Sequence, residues 1–217
     1  MTLELFAEVP SWPGLFVTID GPNASGKTSI AEEVGRQLAT AYGPLVHATR
    51  QPSESAIGKS ARAAEAAIGG RALACLVAAD RHHQLATEIA PALDGGAIVI
   101  CDRYVESSLV LQRIDGVGLD FILAVNSGIL RPDLRIRLMA DEDVLQQRMA
   151  TRATVPGRRF EGMPGGAARE LALYAEADAL LSGTYGLSSF ALDTTDTAAG
   201  DQARRVVDHV QRQLGRP

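Results

Sequence analysis

The sequence predicts an α/β fold in which a five-stranded parallel sheet carries helices on both faces. Two observations point there. Short β-rich apolar runs alternate with longer stretches rich in Ala, Leu, Glu and Arg. Several of those runs are apolar at consecutive positions, as in Ala97-Ile98-Val99-Ile100, which suits central strands covered above and below.

In chain order, the strand runs are residues 15–19, 45–48, 97–101, 134–139 and 189–192. Helical patterns fill 27–41, 72–93, 141–152, 167–181 and 198–214. No internal repeat is present. Residues 151–166 stand apart, holding Arg152, Arg158 and Arg159 among Pro156, Pro164 and several glycines. Such a segment reads either as a plain surface loop or as a mobile lid that closes on phosphates.

With 217 residues, 46% of them hydrophobic, the chain can bury one sizeable core, so residues 1–217 are expected to form a single domain. A net charge of -5 with scattered arginines argues against a nucleic-acid polymer as partner. No run approaches the roughly 18 apolar residues of a membrane span, and the start lacks a signal-peptide pattern, so no membrane is expected and the cytoplasm is. Cys75 and Cys101 lie in apolar surroundings without metal-ligand spacing and are expected to be buried free thiols.

After the first strand comes Gly21-Pro22-Asn23-Ala24-Ser25-Gly26-Lys27-Thr28, which satisfies G-x-x-x-x-G-K-[ST] and opens a helix through Ser29. This is a P-loop in the context it requires. Its glycines let successive N–H groups and the positive helix end face phosphate oxygens. Lys27 is expected to reach the β- and γ-phosphates of ATP, and the Thr28 hydroxyl to ligate Mg²⁺. Asp102 emerges at the carboxyl end of the third strand, where open α/β sheets bind ligands, as a second Mg²⁺ ligand. Arg103 beside it can bridge phosphates with its bidentate fork. Arg50 and Arg81 lie on separate segments that such a sheet can converge on the same anion.

The order of motifs resembles the thymidylate kinase family of P-loop nucleoside-monophosphate kinases over nearly the whole chain. The matching stretches are 21–28, 49–52, 78–81, 102–108, 131–134 and the arginine-bearing 148–161. The resemblance implies ATP as donor, Mg²⁺ as cofactor, a nucleoside 5′-monophosphate as acceptor, and commonly a homodimer. It implies that Arg81 and Arg103 hold the acceptor phosphate with Arg50 nearby. It places Arg148 against adenine, and lid arginines among Arg152, Arg158 and Arg159 against the transferring phosphoryl group. Asp20, Ser108 and Gln112 join the acceptor-site candidates.

The departures fall on the acceptor side. Asn23 stands where the family usually has an acid, Val77 where a phenylalanine stacks on thymine, Leu111 where a tyrosine packs, and Gln51 where a glutamate is usual. The acceptor expected is therefore dTMP or a related or modified pyrimidine nucleotide. The alternatives are a P-loop kinase acting on a nucleoside or small metabolite, with Asp20 or Asp102 as base, and a nucleotide-binding regulatory NTPase that transfers nothing. His82 and His83 are expected to be surface or packing residues.

Overall fold

The computed structural model describes residues 4–7, 12–152 and 166–215. Five parallel strands form one sheet in the order β2-β3-β1-β4-β5: β1 (Leu15–Asp20), β2 (Val46–Arg50), β3 (Ile98–Asp102), β4 (Leu134–Met139) and β5 (Ser189–Asp193). Each expected strand is present, β4 with the expected bounds and the others with ends shifted by at most two residues. β1 and β3, the most apolar strands, are buried along their whole length. The half-exposed β2 and β5 form the edges.

Alternation along the strands divides the core in two. Val17 and Ile19 of β1, with Ile98 and Ile100 of β3, pack under α1 (Lys27–Tyr42) and α9 (Ala199–Leu214) through Ile30, Val34, Leu38, Val206 and Val210. Phe16, Val99 and Cys101 face the other way. There they meet α3 (Gly70–Gln84), α5 (Val105–Ile114) and α8 (Gly166–Gly183).

The helix expected over 72–93 is present and runs without a gap from residue 70 to 94, but it changes type along the way. α3 ends at Gln84, a π-helical turn spans Leu85–Ile89, and α4 (Ala90–Asp94) follows. Pro91 explains the π turn: it has no N–H to donate, and its ring crowds the preceding turn, so the helix widens one turn earlier. Helices α2 (Ala56–Ala64), α5 and α6 (Leu119–Val125) stand where periodicity signalled none. The helix expected from 141 begins as α7 (Glu142–Arg152).

Register sets the working edge. Asp102 pairs with Ile19 on one side and Arg50 on the other, so the ends of β1, β2 and β3 open onto one cleft. Cys75 corrects an expectation: both cysteines are free, but only Cys101 is buried. Cys75 lies on the outward side of α3, whose neighbouring Leu73 and Ala74 take the buried side.

Candidate active site

Between β1 and α1 the chain turns through Gly21 at φ 151° and Gly26 at φ 90°. A Cβ at Gly21 would stand 2.5 Å from the Leu138 carbonyl oxygen, so the tight passage against β4 admits only glycine. The Thr194 hydroxyl braces the loop by donating to the Ser25 carbonyl at 3.1 Å. Lys27 is almost fully buried, and its Nζ donates to the Pro22 carbonyl at 2.6 Å. Burial brings its ammonium down to about 7, with the Arg103 guanidinium pushing the same way and Asp102, Glu170 and Asp20 opposing. A buried ammonium so disfavoured is stabilised by an arriving polyphosphate.

Thr28 donates its hydroxyl to Asp102 Oδ2 at 2.7 Å. The other oxygen, Asp102 Oδ1, is buried without a hydrogen-bond partner among the described residues. A hydroxyl and a half-satisfied carboxylate, both oxygen donors at a phosphate loop, fit a hard divalent cation such as Mg²⁺. No group of three His, Cys, Asp or Glu able to hold a metal occurs among the described residues.

Arg103 has φ 71°, a left-handed backbone that a non-glycine residue seldom adopts. The twist aims its side chain at the loop, where Nη2 donates to Asn23 Oδ1 at 2.7 Å and Nη1 to Ser107 Oγ at 3.1 Å. Arg81 is buried on the wall of the same cleft. Its Nε donates to Gln51 Oε1 at 2.8 Å and its Nη2 to Ser108 Oγ at 2.7 Å, while Nη1 donates to Asn126 Oδ1. Every one of these partners is neutral. The guanidinium charge is left uncancelled by direct contact, and burial lowers its pKa from the ordinary value. Gln51, standing where an acid was expected on resemblance, is what keeps the cage neutral. The adjacent Asp80 turns away, accepting from Ser53 N at 2.6 Å and Ser53 Oγ at 2.6 Å, and so pins the loop that follows β2.

The cleft holds about 490 Å³. It brings together the loop residues Asn23, Ala24, Gly26, Lys27, Thr28 and Ser29 with Asp102 and Arg103. It continues past Arg50, Val77, Arg81, Ser108, Leu111 and Gln112. Gln112 is buried in the cleft wall, and its Oε1 has no partner among the described residues. Arg50 reaches the cleft but is largely solvated and paired with Glu54, weaker support for an anion than three converging guanidiniums implied.

Other expected residues do not line it. Gly21, Pro22 and Ser25 shape the loop from outside the cleft. Asp20 is fully buried, and its Oδ1 accepts from Tyr104 N at 3.1 Å, Ser107 N at 3.0 Å and Ser107 Oγ at 2.6 Å. It caps the start of α5 from a neighbouring strand. Arg148 is tied by Nη2 to the Thr194 and Thr195 carbonyls at 2.8 and 3.0 Å, behind the loop. Arg152 ends α7, while Arg158 and Arg159, with the lid expected around them, lie outside the described residues.

Residues 19–163 match the family model for thymidylate kinase. The chain belongs to the thymidylate kinase family. It is accordingly a nucleoside-monophosphate kinase, a phosphotransferase. A probable thymidylate kinase of Pyrobaculum calidifontis is 39% identical over 143 residues, covering 64% of this chain and 70% of that protein. The thymidylate kinase of Bacillus velezensis is 36% identical over 132 residues, covering 57% and 62%. Among solved structures, thymidylate kinase from Ehrlichia chaffeensis superposes with a TM-score of 0.68 at 20% identity, covering 92% of this chain and 98% of that one. Thymidylate kinase from Candida albicans gives 0.72 at 19%, covering 93% and 92%. These two likenesses establish the shared fold.

Beyond the phosphate loop the cleft walls are partly aliphatic. Val77 and Leu111 put branched aliphatic groups there, beside Leu73 and Ala61. Sequence reasoning missed three residues that hold the site's side chains and loop from behind: Asn126, bonded to Arg81, Glu170, which accepts the Asn23 N–H, and Tyr174, whose hydroxyl meets Ser107 Oγ. Glu170 and Tyr174 lie in an alanine-rich helical run, where nothing distinguishes an inward acid from a solvated one. Asn126 follows α6, a helix without a sequence signal.

Proposed function

We propose that the chain transfers the γ-phosphoryl group of ATP, with Mg²⁺, to a nucleoside 5′-monophosphate, dTMP or a related or modified pyrimidine nucleotide. The supporting observation is one cleft whose lining joins Lys27 and the bonded Thr28–Asp102 pair to Arg103, Arg81 and Gln112.

Lys27 and the loop amides hold the donor phosphates, and the approaching charge returns Lys27 to its ammonium form. Thr28 and Asp102 hold the cation, which supplies neutralisation of phosphate charge. Arg103 lies between donor and acceptor and places the acceptor phosphate for in-line attack. That phosphate is already ionised, so no strong base is required, in keeping with Asp20 being occupied as a helix cap. Arg81 offers its unbalanced charge to the acceptor phosphate beside Arg103, and Gln112 lines the same cleft. On the resemblance, Arg148 supports the adenine side and lid arginines within 151–166 neutralise the phosphoryl group in transit. A single domain, a cytoplasmic location and a homodimer complete the reading.

With Val77 and Leu111 in place of aromatic rings, the base is held at its edges more than by stacking, a contact that contributes roughly 1–3 kcal/mol in nucleic-acid systems. The test is steady-state turnover over a panel of nucleoside monophosphates, nucleosides and phosphorylated metabolites, with product masses recorded. Selective turnover of a pyrimidine monophosphate supports the reading. Phosphorylation of nucleosides alone, or ATP consumption with no phosphorylated acceptor, overturns it.

A further inference from the structure

Glu170, near the start of α8, is 2% exposed and lies against the phosphate loop. Its Oε1 accepts the Asn23 N–H at 2.9 Å, across 147 residues of sequence. Asn23 in turn presents Oδ1 to Arg103 Nη2 at 2.7 Å, and Arg103 Nη1 reaches Ser107 Oγ at 3.1 Å. One turn further along α8 the Tyr174 hydroxyl meets the same Ser107 Oγ at 3.1 Å. A single helix thus grips both anchor points of Arg103.

A carboxylate is kept in such a place only against compensation. Here the loop amide compensates it, and Lys27 and Arg103 both feel its charge. A negative charge beside a polyphosphate site opposes donor binding, so affinity does not account for it. Placement does: fixing the Asn23 backbone fixes the carboxamide on which Arg103 rests.

We propose that Glu170 is a positioning residue for phosphoryl transfer, acting through Asn23 to set the place of the Arg103 guanidinium between donor and acceptor. This rests on the phosphoryl-transfer reading of the site.

The test compares Glu170→Ala, Glu170→Gln and Asn23→Ala with the unaltered enzyme, whose own turnover in the same assay tests the underlying reading separately. Glu170→Ala is expected to lower kcat about tenfold, as modest misplacement of a reacting group does, without raising the KM for ATP. Glu170→Gln keeps an oxygen able to accept the Asn23 N–H and is expected to recover most of that kcat. Asn23→Ala is expected to show the same loss, and the Asn23→Ala, Glu170→Ala double variant to be no worse than either single one. A rise in the KM for ATP in step with the fall in kcat, failure of the glutamine to recover, or multiplying losses would overturn the proposal. Should Glu170→Ala not fold, unaltered kcat in Asn23→Ala overturns it equally.

Discussion

Asp20 offers a sharp separation of structure from chemistry, because its position just before the phosphate loop invites a catalytic role that its contacts deny. Asp20→Ala removes the acceptor for two buried backbone N–H groups and one hydroxyl at the start of α5. Each orphaned donor costs about 1–3 kcal/mol, and a lost cap alone about 1 kcal/mol. Allowing for water entering the gap, the loss should be about 3 kcal/mol. For a chain of this length that lowers Tm by roughly 6–12 °C. Asp20→Asn retains the Oδ1 acceptor and places an amide where Oδ2 has no partner, so it should lose less, about 1–2 kcal/mol. Thermal unfolding of both variants, followed by kcat at a temperature where each is folded, reads the two effects separately. If Asp20 only caps α5, Asp20→Asn keeps kcat within about tenfold. Loss of a general base costs about 10²–10⁴. A wild-type Tm with a kcat loss in that range would refute the assignment and restore the hydroxyl-kinase alternative.

Lys27 is held near a pKa of about 7 in the free protein by burial and by Arg103. Beside phosphates it regains its proton, so above about pH 7 ATP binding takes up a proton and weakens toward tenfold per pH unit, up to its ordinary range. Calorimetry without Mg²⁺ in two buffers of different ionisation enthalpy should show uptake near one proton at pH 8.5; a buffer-independent heat contradicts this. Lys27→Ala should abolish turnover with the fold retained by circular dichroism, and unchanged turnover would remove the loop from the mechanism. Gly58 has no room for a side chain, since a Cβ there would lie 2.1 Å from the Ser53 carbonyl oxygen. Gly58→Ala should therefore shift the Ser53 loop and α2 and raise the acceptor KM severalfold more than the ATP KM, as initial-rate measurements would show.

The strands were legible because five apolar runs are separated by helix-length stretches, and the sheet order places Asp102 and the phosphate loop on neighbouring strand ends as their motifs suggested. The π turn in the long helix was latent in Pro91, which sits inside an otherwise good helical pattern. Helix α5 was hidden because its cap is Asp20, 84 residues before Tyr104, where no local reading looks. The neutral cage around Arg81 is assembled from Gln51, Asn126 and Ser108 on three separate segments, so the sequence named the cation and one departure but not their meeting. Glu170 reads as one of many helical glutamates until the fold carries it to Asn23. Cys75 shows the converse: apolar neighbours in sequence do not decide which side of a helix a residue faces.

The most direct measurement follows the transferred group itself, using ATP labelled at the γ-phosphate with the nucleoside monophosphate that turns over fastest. The account requires the label in the terminal phosphate of a nucleoside diphosphate, in amounts equal to the ADP formed. Label appearing only as inorganic phosphate, or on a sugar hydroxyl, would contradict it.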